Sequence, residues 1–176
     1  MLRRLFLIVA VLVLAAALYA VGTALAAKIN VKIKGGPLSL TPSADQAMND
    51  VILDGNDTIA TGTLGELQVK DARGTGAGWI VIVRATDFTE QSDPLKTIPA
   101  TGFSIPAAPV VTVIAGSGGV SSGSGILKIP GIVLLDSPSP DGRGRYSITP
   151  DLELDIPAEV FVGTYASTVT ETILSY

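Results

Sequence analysis

Short apolar segments separated by turn-forming residues occupy most of this 176-residue chain. Most are rich in valine and isoleucine and are bounded by glycine, proline, asparagine, aspartate or serine, which is typical of strands joined by turns. The strands predicted from this pattern cover residues 28–34, 58–69 with a break at Gly62 or Gly65, 78–86, 110–115, 126–135, 145–148, 152–156 and 160–174. No long helical periodicity with end caps is present, and only residues 43–49, where Ser43 can cap a short turn, suggest a helix.

The predicted fold class is therefore all-β, with one antiparallel β-sandwich of the Ig-like or Greek-key type over residues 27–176. An antiparallel sheet that is apolar on one face has to bury that face against a second layer, and a second sheet supplies the layer when helices are absent. Residues 116–125 and 137–144 are predicted to be loops, because they consist mainly of glycine, serine, proline and aspartate.

Residues 28–34 alternate strictly between polar and apolar side chains, which predicts a strand with one buried face. The polar residues are Lys28, Asn30, Lys32 and Lys34, and the apolar residues are Ile29, Val31 and Ile33. One interpretation is an ordinary edge strand whose lysines discourage further pairing. The other is a strand that leaves its own domain and completes the sheet of a neighbouring molecule.

The first 26 residues have the pattern of a secretory signal peptide. Arg3 and Arg4 precede an apolar run over residues 5–20, and Ala24 and Ala26 supply the small residues that signal peptidase requires. The run is also long enough for an uncleaved membrane anchor. Cleavage is the favoured interpretation, so we expect a secreted protein at the cell surface without a lasting membrane anchor.

Composition restricts the function of the remaining residues. Residues 27–176 contain 10 basic and 16 acidic side chains, a formal net charge of −6, which argues against nucleic acid as a partner. The chain has no cysteine and no histidine, which excludes thiolate chemistry, histidine-based catalytic triads and most transition-metal sites. We therefore expect neither an enzyme nor a bound cofactor or metal, and we interpret its aspartate and asparagine clusters as turns.

The only tryptophan, Trp79, follows a glycine-rich segment containing Gly74, Gly76 and Gly78. These glycines are predicted to let the main chain turn tightly before a strand. Period two places Val81, Val83 and Ala85 on the same strand face as the indole. The ring is thus either an anchor of the sandwich core or a surface on which a ligand stacks.

Two segments resemble the WxL domain, a domain of secreted surface proteins of Gram-positive bacteria. Residues 64–89, LGELQVKDARGTGAGWIVIVRATDFT, are similar to its proximal segment, and residues 163–176, GTYASTVTETILSY, are similar to its distal segment. The resemblance implies non-covalent association with the cell wall through peptidoglycan, together with other surface proteins. It also places Trp79, Tyr165 and Glu171 at the motif positions that would bind.

Glu171 stands where the family has its second tryptophan, and Val81 stands where the proximal motif has leucine. A buried carboxylate without a partner would be costly. We therefore expect Glu171 either to lie at an exposed strand end or to meet a cation such as Arg73 or Arg84.

Two functions follow from these observations. The first is a non-enzymatic, wall-associated surface protein that binds peptidoglycan. The second is a structural subunit of a homo-oligomeric extracellular filament or surface layer, in which Ile29, Val31 and Ile33 enter the sheet of a neighbour.

Overall fold

A computed structural model describes residues 28–176, so the predicted signal peptide lies outside the described residues. Their regular structure consists of strands and one 3₁₀ helix, Ala100–Gly102. The strands are β1 (Leu38–Thr41), β2 (Thr58–Thr63), β3 (Leu67–Asp71), β4 (Trp79–Ala85), β5 (Phe88–Glu90), β6 (Thr97–Ile98), β7 (Phe103–Ile105), β8 (Thr112–Gly116), β9 (Ser121–Ser122), β10 (Gly125–Ile126), β11 (Ile132–Ser137), β12 (Gly144–Ile148), β13 (Asp151–Ile156), β14 (Tyr165–Ala166) and β15 (Val169–Ser175). None of the described helical structure is long and apolar enough to cross a membrane.

The strands form four hydrogen-bonded sheets within a compact unit that spans residues 34–176. Their strand orders are β1-β3-β12-β8, β10-β7-β13-β2, β15-β4-β11-β9 and β14-β5-β6. Every pair of neighbouring strands is antiparallel. The predicted all-β fold class is therefore confirmed, and the arrangement is consistent with a β-sandwich.

Strand β4 is a central strand, because it pairs with β15 on one side and β11 on the other. Its residues on the tryptophan face, Trp79, Val81, Val83 and Ala85, are all buried. The opposite face is only half-buried at Ile80 and Ile82 and exposed at Arg84. Period two thus determines which face of the strand enters the core.

The core joins two of the sheets through a pair of aromatic rings. The ring of Trp79 on β4 packs against that of Tyr146 on β12, with their centroids 5.9 Å apart and an angle of 46° between their planes. The indole Nε1 donates a hydrogen bond to the carbonyl oxygen of Gly142, 3.1 Å away. The polar atom of the ring is therefore satisfied inside the core, as a buried tryptophan requires.

Three predictions of secondary structure are wrong. Residues 28–34 form no strand, residues 43–49 form no helix, and residues 116–125, predicted as a loop, include β9 and part of β10. The strand predicted over residues 58–69 is broken around Gly65, as expected, whereas those predicted over 126–135 and 160–174 are each divided in two. Strands β1, β5, β6 and β7 are additional to those predicted.

Gly142 lies directly against the indole, and this close approach requires the absence of a side chain. A Cβ atom at this position would lie 1.8 Å from Ser137 Oγ and 2.6 Å from Trp79 Nε1. The residue also has φ of +75°. The tryptophan therefore depends on a glycine 63 residues away in sequence.

We expect Gly142→Ala to lower the free energy of unfolding by about 3 kcal/mol, since it combines left-handed backbone strain with overpacking of the core. Gly74→Ala is the matched control: its φ is +71°, but a Cβ atom added there would have no other atom within 4 Å. That variant should lose only about 1 kcal/mol. Urea unfolding followed by tryptophan fluorescence measures both, and equal losses would contradict the steric argument.

Candidate functional site

Trp79, the first residue suggested by the motif, has no exposed surface. Its ring lies between the two sheets and its nitrogen is already bonded to Gly142. A ligand on the surface therefore cannot stack on the indole. The residue has the environment of a core anchor, the first of its two interpretations.

The glycines before Trp79 shape the main chain and leave room for another ring. Gly74 and Gly76 have φ of +71° and +72°, as the predicted tight turn needs. At Gly78, a Cβ atom would lie 2.7 Å from the ring of Tyr176. The Tyr176 hydroxyl donates to Asp136 Oδ1 at 2.9 Å, and this hydrogen bond is the main cause that raises the pKa of Tyr176.

Glu171 lies on β15 opposite Val83, and therefore on the same sheet face as the buried side of β4. It is half-buried, and its carboxylate accepts hydrogen bonds from the main-chain N–H of Ser43 at 3.1 Å and from the Ser43 hydroxyl at 2.5 Å. No described cation lies within ion-pair distance of it. Both expectations for Glu171 are therefore wrong: Ser43, and neither water alone nor an arginine, satisfies the carboxylate.

Arg73 has a different partner, the buried carboxylate of Asp71. Its Nη2 lies 2.9 Å from Asp71 Oδ2, and its main-chain N–H and Nε each lie 3.0 Å from Oδ1. The same guanidinium donates to the carbonyl oxygen of Ala77 at 2.7 Å and to the hydroxyl of Ser175. The ion pair thus links the end of β3 to β15 in another sheet. In the sequence, the only indication of this ion pair is that Asp71 and Arg73 are two residues apart.

Burial raises the pKa of the Asp71 carboxyl, but hydrogen bonds from the side chain and main chain of Arg73, together with its charge, bring the pKa below the ordinary aspartate value. A carboxyl whose pKa is lower in the folded state stabilises the fold above its unfolded pKa. That stabilisation is lost as the pH falls through the folded value.

Tyr165 is half-buried on β14, and its hydroxyl donates to the carbonyl oxygen of Phe161 at 2.9 Å. Strand β14 pairs with β5 in a different sheet from the one that contains Trp79 and Glu171. The three motif residues therefore do not line one concave site.

The concave surfaces of the described residues are shallow clefts. One, of about 390 Å³, is lined by Ala107, Ala108, Pro109, Val110, Thr112, Ser147, Ile148, Thr149 and Asp151. A second, of about 380 Å³, is lined by Thr61, Gly62, Thr63, Pro106, Asp151, Leu152 and Glu153. Neither contains a motif residue, and within residues 28–176 no group of three acidic side chains is placed to hold a metal ion.

Residues 28–34 are the part of the described chain whose pattern and environment disagree most. The exposed fractions of Ile29, Val31 and Ile33 are 93%, 83% and 86%. None of these residues takes part in the strand pairing found over residues 28–176. A segment with the pattern of a half-buried strand therefore exposes its apolar side chains.

A second exposed apolar element is β8, at the end of the sheet ordered β1-β3-β12-β8. All five of its residues are exposed, including Val113 and Ile114. It contains neither a charge nor a proline, the residues that commonly protect an edge strand. Residues 28–34 and β8 are thus two separate candidate functional surfaces.

Comparison with known proteins identifies no relative: no family model matches the chain, and no curated protein matches it either.

We expect Ser43→Ala and Glu171→Ala each to lower the free energy of unfolding by about 1–2 kcal/mol, because each removes the hydrogen bond between the Ser43 hydroxyl and the partly buried carboxylate. The double variant should lose less than the sum, with a coupling of at least about 0.5 kcal/mol. The exposed Thr172→Ala on the same strand is the control and should change stability by less than about 0.5 kcal/mol. Strictly additive losses in urea unfolding would show that the hydrogen bond between the two side chains contributes nothing.

We expect Asp71→Asn to lower the free energy of unfolding at neutral pH by about 1–3 kcal/mol, since it breaks the bonds to Arg73. The difference from the parent should shrink as the pH falls below about 4, where the carboxyl becomes protonated in the unfolded state, and should be lost once the pH is also below the lower pKa of the folded state. Urea unfolding between pH 7 and pH 2 measures this dependence. Asp54→Asn, in an exposed turn, makes the same charge change as a control, and a difference for Asp71→Asn that is constant with pH would contradict the prediction.

Proposed function

We propose that this protein is a non-enzymatic structural subunit of an extracellular filament or layer, in which residues 28–34 of one copy join a sheet of the next. The observation that carries the proposal is the exposure of Ile29, Val31 and Ile33 in a segment whose alternation is that of a half-buried strand. The signal-peptide pattern of residues 1–26 supports export of the subunit.

The exposed segment carries two costs: its apolar side chains contact water, and its main chain is outside the strand pairing. Strand addition would remove both. Each β-branched side chain gains about 1.5–3 kcal/mol when it moves from water to a fully buried position. The main chain of an added strand also gains hydrogen bonds to the edge that receives it, and the alternating side chains give specificity. The segment therefore has the composition of a donor strand.

Charge favours pairing between the segment and the domain of another copy. Residues 28–34 contain three lysines and no acidic residue. Residues 35–176 contain seven basic and 16 acidic residues, a formal net charge of −9. Opposite charges accelerate and orient such an encounter, and salt weakens the attraction.

Association with peptidoglycan has less support. The resemblance to the WxL domain includes Trp79 and Glu171, but the first is buried and the second faces inward and is bonded to Ser43. The indole cannot contact a polymer at the surface, and the half-buried carboxylate is already bonded within the domain. Self-assembly requires only side chains that are exposed.

We expect Val31→Lys in the full chain to abolish polymers, because a lysine on the apolar face of the segment cannot be buried without a large cost. Asn30→Lys is the matched control, since it adds the same charge at the adjacent position on the polar face. Electron microscopy and analytical ultracentrifugation of the concentrated proteins measure assembly.

The expected result is filaments or sheets from the parent and from Asn30→Lys, and monomers from Val31→Lys. The proposal would be wrong if the parent remained monomeric at every concentration, or if Val31→Lys polymerised as extensively as Asn30→Lys. Equal unfolding midpoints in urea establish that the three proteins fold alike.

A further inference from the structure

We infer that the outer edge of β8 in a second copy is the acceptor for residues 28–34; this inference rests on the proposed function and adds the surface that receives the donor. Strand β8 pairs only with β12, so its other side has no neighbouring strand among the described residues. Val113 lies opposite the buried Tyr146 and thus on the core-facing side of the sheet. It is nevertheless 47% exposed, because nothing covers it beyond the edge.

A strand added beside β8 would cover the apolar side chains that this edge leaves exposed, and would thereby extend the hydrophobic core. Val111, just before β8, is half-buried and packs against the core. Val111 and Val113 are two residues apart and share a strand face. The donor repeats the same spacing at Ile29, Val31 and Ile33, so its apolar face would continue the apolar face of β8.

The other strand edges are short, covered or interrupted by a charge. At β2, the main-chain N–H and carbonyl of Thr61 are both bonded to Asn49, and Met48 packs over Gly62. Strand β15 contains Glu171 on its inward face, so a strand added there would place its apolar side chains beside a carboxylate, whereas β8 contains no charge. Beyond β10, Leu127 bonds to Phe103 and to Ala85. Strands β6, β9 and β14 contain two residues each and offer too little edge for a seven-residue donor.

The place where the donor segment joins its own domain allows the contact to repeat from one copy to the next. The main-chain N–H of Gly36 donates to the carbonyl oxygen of Ala72 at 2.7 Å, and Ala72 donates to Pro37, so the chain enters the domain beside β3 at the β1 end of the sheet. Strand β8 forms the opposite end of that sheet. A donor that departs from one end and an acceptor at the other form a heterologous contact, which propagates into a filament unless the rotation closes a ring.

Local charge indicates which part of β8 the donor lysines approach. The cleft of about 390 Å³ beside Thr112 includes the carboxylate of Asp151. At the other end of the strand, the exposed Arg145 lies opposite Ala115. The lysines of the polar donor face are therefore attracted toward the Thr112 end and repelled from the Ala115 end.

Two complementary variants of the full chain test the acceptor. Val113→Lys keeps the donor and blocks the edge, whereas Val31→Lys keeps the edge and blocks the donor. We expect each to sediment as a monomer, and an equimolar mixture to form a dimer of twice the mass without filaments. Thr172→Lys, which adds the same charge at an exposed position of β15 outside the acceptor, is the matched control and should still polymerise. A mixture that stays monomeric while the parent polymerises would overturn the assignment of β8.

Disulfide trapping makes the assignment independent of any effect of Val113→Lys on folding. Because the chain has no cysteine, Lys32→Cys can be mixed with one acceptor variant at a time: Thr112→Cys on β8, Thr63→Cys on β2 or Thr172→Cys on β15. We expect covalent dimers, resolved on non-reducing gels of the assembled material, only with Thr112→Cys.

The outcomes separate the two proposals. Dimers with Thr63→Cys or Thr172→Cys in place of Thr112→Cys would overturn β8 as acceptor and leave strand addition intact. Polymers that form equally well from Val31→Lys, with no trapping at any of the three edges, would overturn both.

Discussion

A strand at the end of a sheet carries main-chain N–H and C=O groups on its outer side, and these groups can pair with any strand that reaches them. This molecule deals with its edges in two ways. Asn49 covers part of the edge of β2, and Glu171, bonded to Ser43, places a carboxylate on the inward face of β15. The edge of β8 is left to solvent, together with two exposed apolar side chains. The distribution of covered and open edges therefore decides where a second molecule can bind.

The interior fixes this distribution by holding the sheets in register. Trp79 contacts Tyr146 across the layers and bonds to Gly142, so the sheet that ends in β8 is attached to the sheet of β4 at its centre. Asp71 and Arg73 connect the same two sheets at their margin through Ser175. Because the single indole is buried in this way, the surface features left for the proposed assembly are main-chain edges and aliphatic side chains.

Sequence periodicity predicted the parts of the fold whose signal is local. The buried face of β4 follows from alternation over seven residues, and the turn before it follows from Gly74 and Gly76. Strands of two or three residues such as β5 and β6 are too short for a period to be detected, so they were missed. Residues 28–34 do have the alternation of a strand, but a pattern contains no information about which molecule supplies the partner.

The candidate site was less predictable, because its contacts join distant parts of the chain. The sequence suggested Ser43 as the N-cap of a helix. In the structure it donates hydrogen bonds to the carboxylate of Glu171, 128 residues away. The exposure of β8 is equally non-local, since it depends on which strand ends the sheet.

The lysines of residues 28–34 connect edge protection with assembly. Lysine on an edge strand normally prevents pairing, because like charges directly opposite one another destabilise a sheet. Two donor segments, each with three lysines, therefore pair poorly with each other. The uncharged β8, on a domain of net negative charge, imposes no such penalty. Specificity is a difference between affinities, so in the proposed assembly the same lysines that disfavour donor-to-donor pairing would direct the segment to the acceptor edge of another copy.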